Sequence, residues 1–409
     1  MRRLLTTGIA VAVGLGPGVL LPFMIALVMS AEQSDMTVLA VSVSVVLVNV
    51  VVAAVESTSV AAIGEAHAKG QLSKATMWAF TLRSFLASGP AVLIGAAVLV
   101  AIFSSSVADL PEFVIGVAII AIAPFIGSAS GVLAGSFLSE GRTFLPILSQ
   151  GFRSLLPMIG VLVVANPSIT LVSILYVIGE ALRFALLALA RARAPLSEDN
   201  GEAARLSNRG LYWQFASTSF TQANPVVDKY FLGSAPAGSI TAYELADKAS
   251  FAIFQVAYNF GLLQRIGKWS RAAGVVRRRL FRRDLVMLMG GTLALAVVAA
   301  LAIWILQQLD AVPEQWSRGA QWAMIALFAM PFAIGVTSSM RYVVILNRTR
   351  WLLPISIGGV LVNAGLDLLF LTLFGPIGIV IASIPTRFFL FLGFQGVILL
   401  TERRTLEES

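Results

Sequence analysis

Residues 352–401 read LLPISIGGVLVNAGLDLLFLTLFGPIGIVIASIPTRFFLFLGFQGVILLT. Only two of these side chains are charged, Asp367 and Arg387. A turn signal, Gly375-Pro376, divides the stretch near its middle. About 20 apolar residues are needed to cross a ~30 Å hydrocarbon core. Each side of the turn is long enough. A turn this short forces the two helices into an antiparallel hairpin. The stretch 144–190 repeats the pattern, with Asn166-Pro167 as its turn.

Working outward, the same ruler finds twelve apolar segments: 4–29, 38–63, 78–104, 112–138, 144–165, 168–190, 210–233, 239–264, 285–308, 320–346, 352–374 and 376–401. The first is too long for a signal-peptide core and ends in no small-residue cleavage site, so it reads as a retained span. Composition agrees. The 409 residues are 58% hydrophobic and 12% charged, with a mean hydropathy of +0.88. A soluble domain is nearer half apolar and a quarter charged. A soluble enzyme, a disordered chain and a nucleic-acid-binding domain are excluded. The net charge of +8 and pI of about 10.2 point to a membrane surface, because the bases lie between apolar runs. There is no cysteine and one histidine, His67. Disulfides, thiolate or His-rich metal sites, iron–sulfur clusters and cysteine nucleophiles are excluded. No cofactor, metal or catalytic residue is expected.

Twelve spans with an inner amino terminus place 21 of the 29 bases on inner segments and one, Arg318, on outer segments. This is a strong positive-inside signal, so both termini are expected in the cytoplasm. Val275 to Arg283 forms a short basic stretch suited to anchoring on anionic lipid.

The two halves share an ordered set of matches. Pro124-Phe125 and Arg142-Thr143 correspond to Pro331-Phe332 and Arg348-Thr349. Ser30-Ala31 corresponds to Ser234-Ala235, Ile63-Gly64 to Ile266-Gly267, and Arg183-Phe184 to Arg387-Phe388. The expected architecture is all-α and polytopic, with two six-helix lobes related by a parallel repeat. The N-lobe is 1–190, the cytoplasmic linker 191–209 and the C-lobe 210–409. Gly14-Leu15-Gly16-Pro17-Gly18 suggests a break in the first helix.

A charge at a helix centre costs ~2.5–3.5 kcal/mol or more on insertion scales, so each one inside a span needs a reason. Arg83 and Arg341 lie near inner helix ends and can snorkel. Glu180 and Arg183 are three apart, and Glu244 and Lys248 four apart, so each pair can neutralise locally. Asp228 and Lys229 lie near an outer end, where water can reach them. Arg153 and Arg387 fall near mid-bilayer, one in each half, with no acid three or four residues away. Two readings stay open for them: they face a central anion-binding cavity, or they are buried against Glu180 or Asp367. On the first reading, Arg83, Arg183, Lys248 and Arg341 line the route of the anion. Asp367 and Glu56 are the candidate ion-coupling acids.

The segment Asn224-Pro225-Val226-Val227-Asp228-Lys229-Tyr230-Phe231-Leu232-Gly233, with Ile240-Thr241-Ala242-Tyr243 and Ala246 after it, resembles the seventh-helix region of polysaccharide flippases. With the six-plus-six layout and the Gly64/Lys69-Gly70 inner turn, the chain is similar to the multidrug/oligosaccharidyl-lipid/polysaccharide (MOP) exporter superfamily. Twelve spans in 409 residues look most like its O-antigen (Wzx-type) flippase branch. The first span lacks charges after Arg3 that the lipid II flippase branch would carry. The resemblance implies a V-shaped two-lobe, MATE-like fold, alternating access, and a cationic cavity for an undecaprenyl-pyrophosphate-linked saccharide. It implies a bacterial cytoplasmic-membrane location, and as partners the lipid-linked substrate, membrane lipids and other envelope-polysaccharide assembly proteins. A multidrug/cation antiporter of the same superfamily is the competing reading, but it wants an acidic cavity, and the spans hold seven bases to six acids. A membrane saccharide polymerase or glycosyltransferase would need a large outer loop or an Asp-x-Asp metal site, and the sequence has neither.

Overall fold

The computed structural model describes residues 2–52, 54–56, 59, 63, 73–140, 142–193, 209–262, 265, 266, 268, 269, 272, 274–346 and 348–407. The inner turn at 64–70, with His67, and most of the polar linker, 194–208, lie outside them. Among the described residues every regular element is helical.

The helices fall into two compact units, Met1–Gln222 and Ala223–Ser409. The first contains α1 (Arg2–Val28), α2 (Ala31–Leu47), α3 (Lys74–Phe103), α4 (Leu110–Ile120), α5 (Ile122–Ser139), α6 (Phe144–Ser149), α7 (Gly151–Val163) and α8 (Ile169–Ala192). Helix α9 (Arg209–Leu232) carries the boundary, so the division falls inside a helix rather than in the polar linker. The second unit continues with α10 (Ser239–Val256), α11 (Gly274–Gln308), α12 (Glu314–Ala326), α13 (Met330–Ile345), α14 (Leu352–Phe374) and α15 (Ile377–Glu407).

Among the described residues, ten helical segments are long and apolar enough to cross a membrane. They coincide with ten of the twelve expected spans. The other two, 210–233 and 239–264, are helical as α9 and α10 but more polar. Asp228 and Lys229 interrupt α9, and Glu244, Asp247 and Lys248 interrupt α10. These two helices carry much of the charged site described below.

Local signals explain the helix ends. Ser30, Ser73, Asp109 and Ser168 each cap a helix by accepting a backbone N–H three residues on, at 3.0–3.4 Å. The Asn166-Pro167 turn puts Asn166 in the left-handed region (φ 57°), which asparagine tolerates. The second hairpin turn uses Gly375 at φ 69°.

The expected break in the first helix is absent: α1 runs from Arg2 to Val28 through Pro17 and Pro22. Its glycines permit close packing instead. A Cβ on Gly14 would lie 2.1 Å from the Ile147 carbonyl oxygen, and one on Gly151 would lie 2.3 Å from that of Val13. In α8, a Cβ on Gly179 would lie 2.3 Å from the Phe152 carbonyl oxygen. Backbones of α1, α6, α7 and α8 therefore approach as only glycine allows.

The second helix of each half passes into a π-helical stretch, Val48–Val52 after α2 and Ala257–Leu262 after α10. The shared feature matches the order of the sequence repeat. The second unit also has an aromatic core at one end, where Trp269, Phe281 and Tyr342 are all buried, with Phe281 and Tyr342 stacked at 3.9 Å. Trp269 Nε1 donates to Asp284 Oδ2 at 2.9 Å.

Candidate functional site

In the first unit, Glu180 projects from α8 and is fully buried. Its two oxygens receive two different arginines. Arg153 Nε, from α7, donates to Oε2 at 2.7 Å, and Arg183 Nη1, one turn along α8, donates to Oε1 at 3.1 Å. Arg183 also lies 4.0 Å from Glu56. Gly127 of α5 lets the carboxylate sit this close, since a Cβ there would lie 3.3 Å from Glu180 Oε1. Of the two readings left open for Arg153, the structure shows the pair with Glu180. The pairing was invisible to an i±3 or i±4 search because the partners lie on neighbouring helices. Arg183 is 1% exposed and closed off from any solute. Glu56 is partly exposed, with 26% of its side chain accessible.

The second unit builds a parallel arrangement on α9 and α10. Glu244 is held by Lys229 Nζ at 2.5 Å and by Lys248 Nζ at 3.0 Å. The expected local pair Glu244–Lys248 is present, and α9 adds a second cation. Asp228 and Lys229 are each only 5% exposed, so the wet position expected for them is corrected. Charged residues can be buried there because each finds a partner: Lys229 takes Glu244, and Asp228 accepts from the Tyr243 hydroxyl and, at 2.5 Å, from Asn363 Nδ2.

Asn363 also donates to Asp367 Oδ2 at 3.0 Å. One amide thus bridges two buried carboxyl groups, one from α9 and one from α14. Asp367 Oδ1 is buried without a hydrogen-bond partner. Sequence reasoning singled out Asp367, named Tyr243 only within the motif that carries the resemblance, and missed Asn363. Neither is charged, so a search for in-span charges passes over both.

Arg387 sits on α15, partly buried. Among the described residues its hydrogen-bond partner is Met330 Sδ at 3.6 Å, and it forms no ion pair. A thioether is a weak acceptor, so the guanidinium keeps nearly all of its donor capacity. Arg387 is thus not buried against Asp367. Arg83 is exposed on α3 beside Leu82 (59%) and Leu86 (62%), an apolar surround that suits snorkelling. Arg341 is exposed on α13. Among the described residues no cluster of three or more His, Asp or Glu side chains could hold a metal.

No protein-family model matches the chain, and no curated protein matches its sequence. Solved structures do match its shape. A lipid II flippase, MurJ, in an inward closed conformation superposes with a TM-score of 0.73 at 16% identity, over 96% of this chain and 86% of that one. An inward-facing multidrug resistance MATE family transporter of the MOP superfamily gives 0.71 at 12% identity, over 94% and 96%. A MOP superfamily transporter from Pyrococcus furiosus gives 0.64 at 13% identity, over 97% and 96%. The chain therefore has the all-helical membrane fold shared by the MurJ flippase and the MATE transporters.

Proposed function

We propose that the chain is a flippase that carries an undecaprenyl-pyrophosphate-linked saccharide across the cytoplasmic membrane by alternating access. On this reading it has twelve spans and both termini in the cytoplasm. The carrying observation is Arg387, a mid-span guanidinium whose hydrogen-bond partner among the described residues is a thioether. Guanidinium offers a planar fork that matches phosphate oxygens and stays charged when desolvated. A pyrophosphate carries at least two negative charges and cannot cross hydrocarbon unaided. Arg387 would replace part of its hydration, with Lys248 and Arg341 of the same unit as further cations near its path.

Asp367 fits an ion-coupling role. Its buried Oδ1 lacks a partner, and Asn363 ties its other oxygen to Asp228. The two carboxyl groups joined by one amide offer oxygens that a proton or a cation could bridge. Uptake of H⁺ or Na⁺ there would reset the empty carrier. Glu56 is the corresponding candidate in the first unit. The same acid pair favours the competing reading, a multidrug/cation antiporter.

Reconstitution into proteoliposomes separates the two. A labelled polyprenyl-pyrophosphate saccharide should become accessible on the far leaflet, while cationic dyes stay put. Dye efflux without lipid flipping would select the antiporter.

A further inference from the structure

One end of the second unit holds a basic pocket that plays no part in the mid-span site. It forms where α13 closes, α14 opens and α15 runs out. Arg348, Arg350, Trp351, Val397, Leu400 and Thr401 line a cavity of about 100 Å³. A cavity needs at least roughly 10–15 Å³ measured this way to admit one water, so this one holds several. That is room for a phosphate group with some hydration, and too little for a saccharide.

Among the described residues neither Arg348 nor Arg350 makes an ion pair. The adjacent acid, Glu402, is already taken: Arg278 Nε reaches it at 2.7 Å, Arg282 Nη2 at 3.3 Å and the Tyr342 hydroxyl at 3.5 Å. Two guanidiniums beside a small void are a receptor for an anion.

The walls say what carries the anion. Leu400 lines the pocket and is 60% exposed. Leu392 and Leu399, two turns apart on the same side of α15, are exposed as well. Trp351, 41% exposed, directly precedes α14, and the end of a span is where an indole prefers to sit, between headgroups and hydrocarbon. A soluble phosphate would gain nothing from this apolar margin, whereas a diacyl lipid would.

We propose that this pocket is a headgroup site for an anionic phospholipid, with Arg348 and Arg350 on the phosphate and the exposed leucines of α15 along an acyl chain. The attraction is worth about fivefold in affinity per arginine, and falls with salt.

The test uses the full chain in vesicles. The chain has seven tryptophans, so each protein is compared with its own Trp351→Phe counterpart to isolate the Trp351 signal. Brominated phosphatidylglycerol should quench that signal at about a fivefold or greater lower mole fraction than brominated phosphatidylcholine. Arg348→Gln/Arg350→Gln should remove the preference, and Arg348→Lys/Arg350→Lys should keep most of it, which separates lost charge from lost folding. Equal quenching by the two lipids overturns the proposal, as does a preference that survives the double Gln variant. If inorganic phosphate abolishes the preference where chloride at the same ionic strength does not, the pocket takes a soluble anion and the lipid assignment fails.

Discussion

Glu180→Gln tests whether the first unit depends on its buried carboxylate. Glu180 is fully buried between Arg153 at 2.7 Å and Arg183 at 3.1 Å. Glutamine keeps the shape and removes the charge. Two guanidiniums then share a low-dielectric site, with Glu56, 4.0 Å from Arg183, to offset them in part. Removing one partner of a buried pair costs about 3–5 kcal/mol, because the remaining charge is left uncompensated. In a unit of this size, Met1–Gln222, 1 kcal/mol moves Tm by about 2–4 °C. The expected loss is therefore roughly 6–20 °C, read by thermal unfolding of the purified protein in detergent. Replacing the three residues together (Arg153→Met, Glu180→Leu, Arg183→Met) should restore most of it, since an apolar cluster of similar volume is often as stable as a buried ion network. A shift below about 2 °C for Glu180→Gln would refute the reasoning, because it would mean the carboxylate is not holding the arginines.

Three further outcomes are expected. Gly179→Ala places a methyl 2.3 Å from the Phe152 carbonyl oxygen and should lower stability by about 1–3 kcal/mol, whereas Gly8→Ala, with open space around it, should not; equal Tm values for the two variants would contradict the close packing of α7 and α8. Single cysteines at Ala108 and Ala311, both exposed, should react with an impermeant reagent from outside intact cells, and one at exposed Arg142 should not; the chain has no native cysteine to confuse the signal, and the reverse pattern would reject the proposed orientation. Asp367→Asn should leave the protein folded but uncouple transport from the ion gradient; unchanged gradient dependence would remove Asp367 from coupling.

The fold was legible because its signals are local and additive. A run such as 352–374 spans whatever its neighbours do, and Gly375-Pro376 fixes the hairpin. The boundary between the two compact units falls within α9, where no composition shift marks it. The site was legible only as a set of costly charges. Which charges meet depends on helix rotation and packing, which sequence spacing does not encode across separate helices. Hence Glu180–Arg183 and Glu244–Lys248 were readable, Arg153–Glu180 was readable as one of two open readings, and Lys229–Glu244 was not readable. Asp228 and Lys229 looked wet because they lie near the end of their helix. Their burial follows from Tyr243, Asn363 and Glu244, partners contributed by α10 and α14.

The central claim is that Arg387 recognises the anionic head of a lipid-linked substrate. Its most direct test is the initial rate of flipping of a labelled undecaprenyl-pyrophosphate saccharide in proteoliposomes, for wild type, Arg387→Lys and Arg387→Ala at matched protein density. Lysine keeps the charge and loses the fork, so it should slow flipping by about tenfold, and alanine should abolish it. Wild-type rates in the alanine variant would contradict the account.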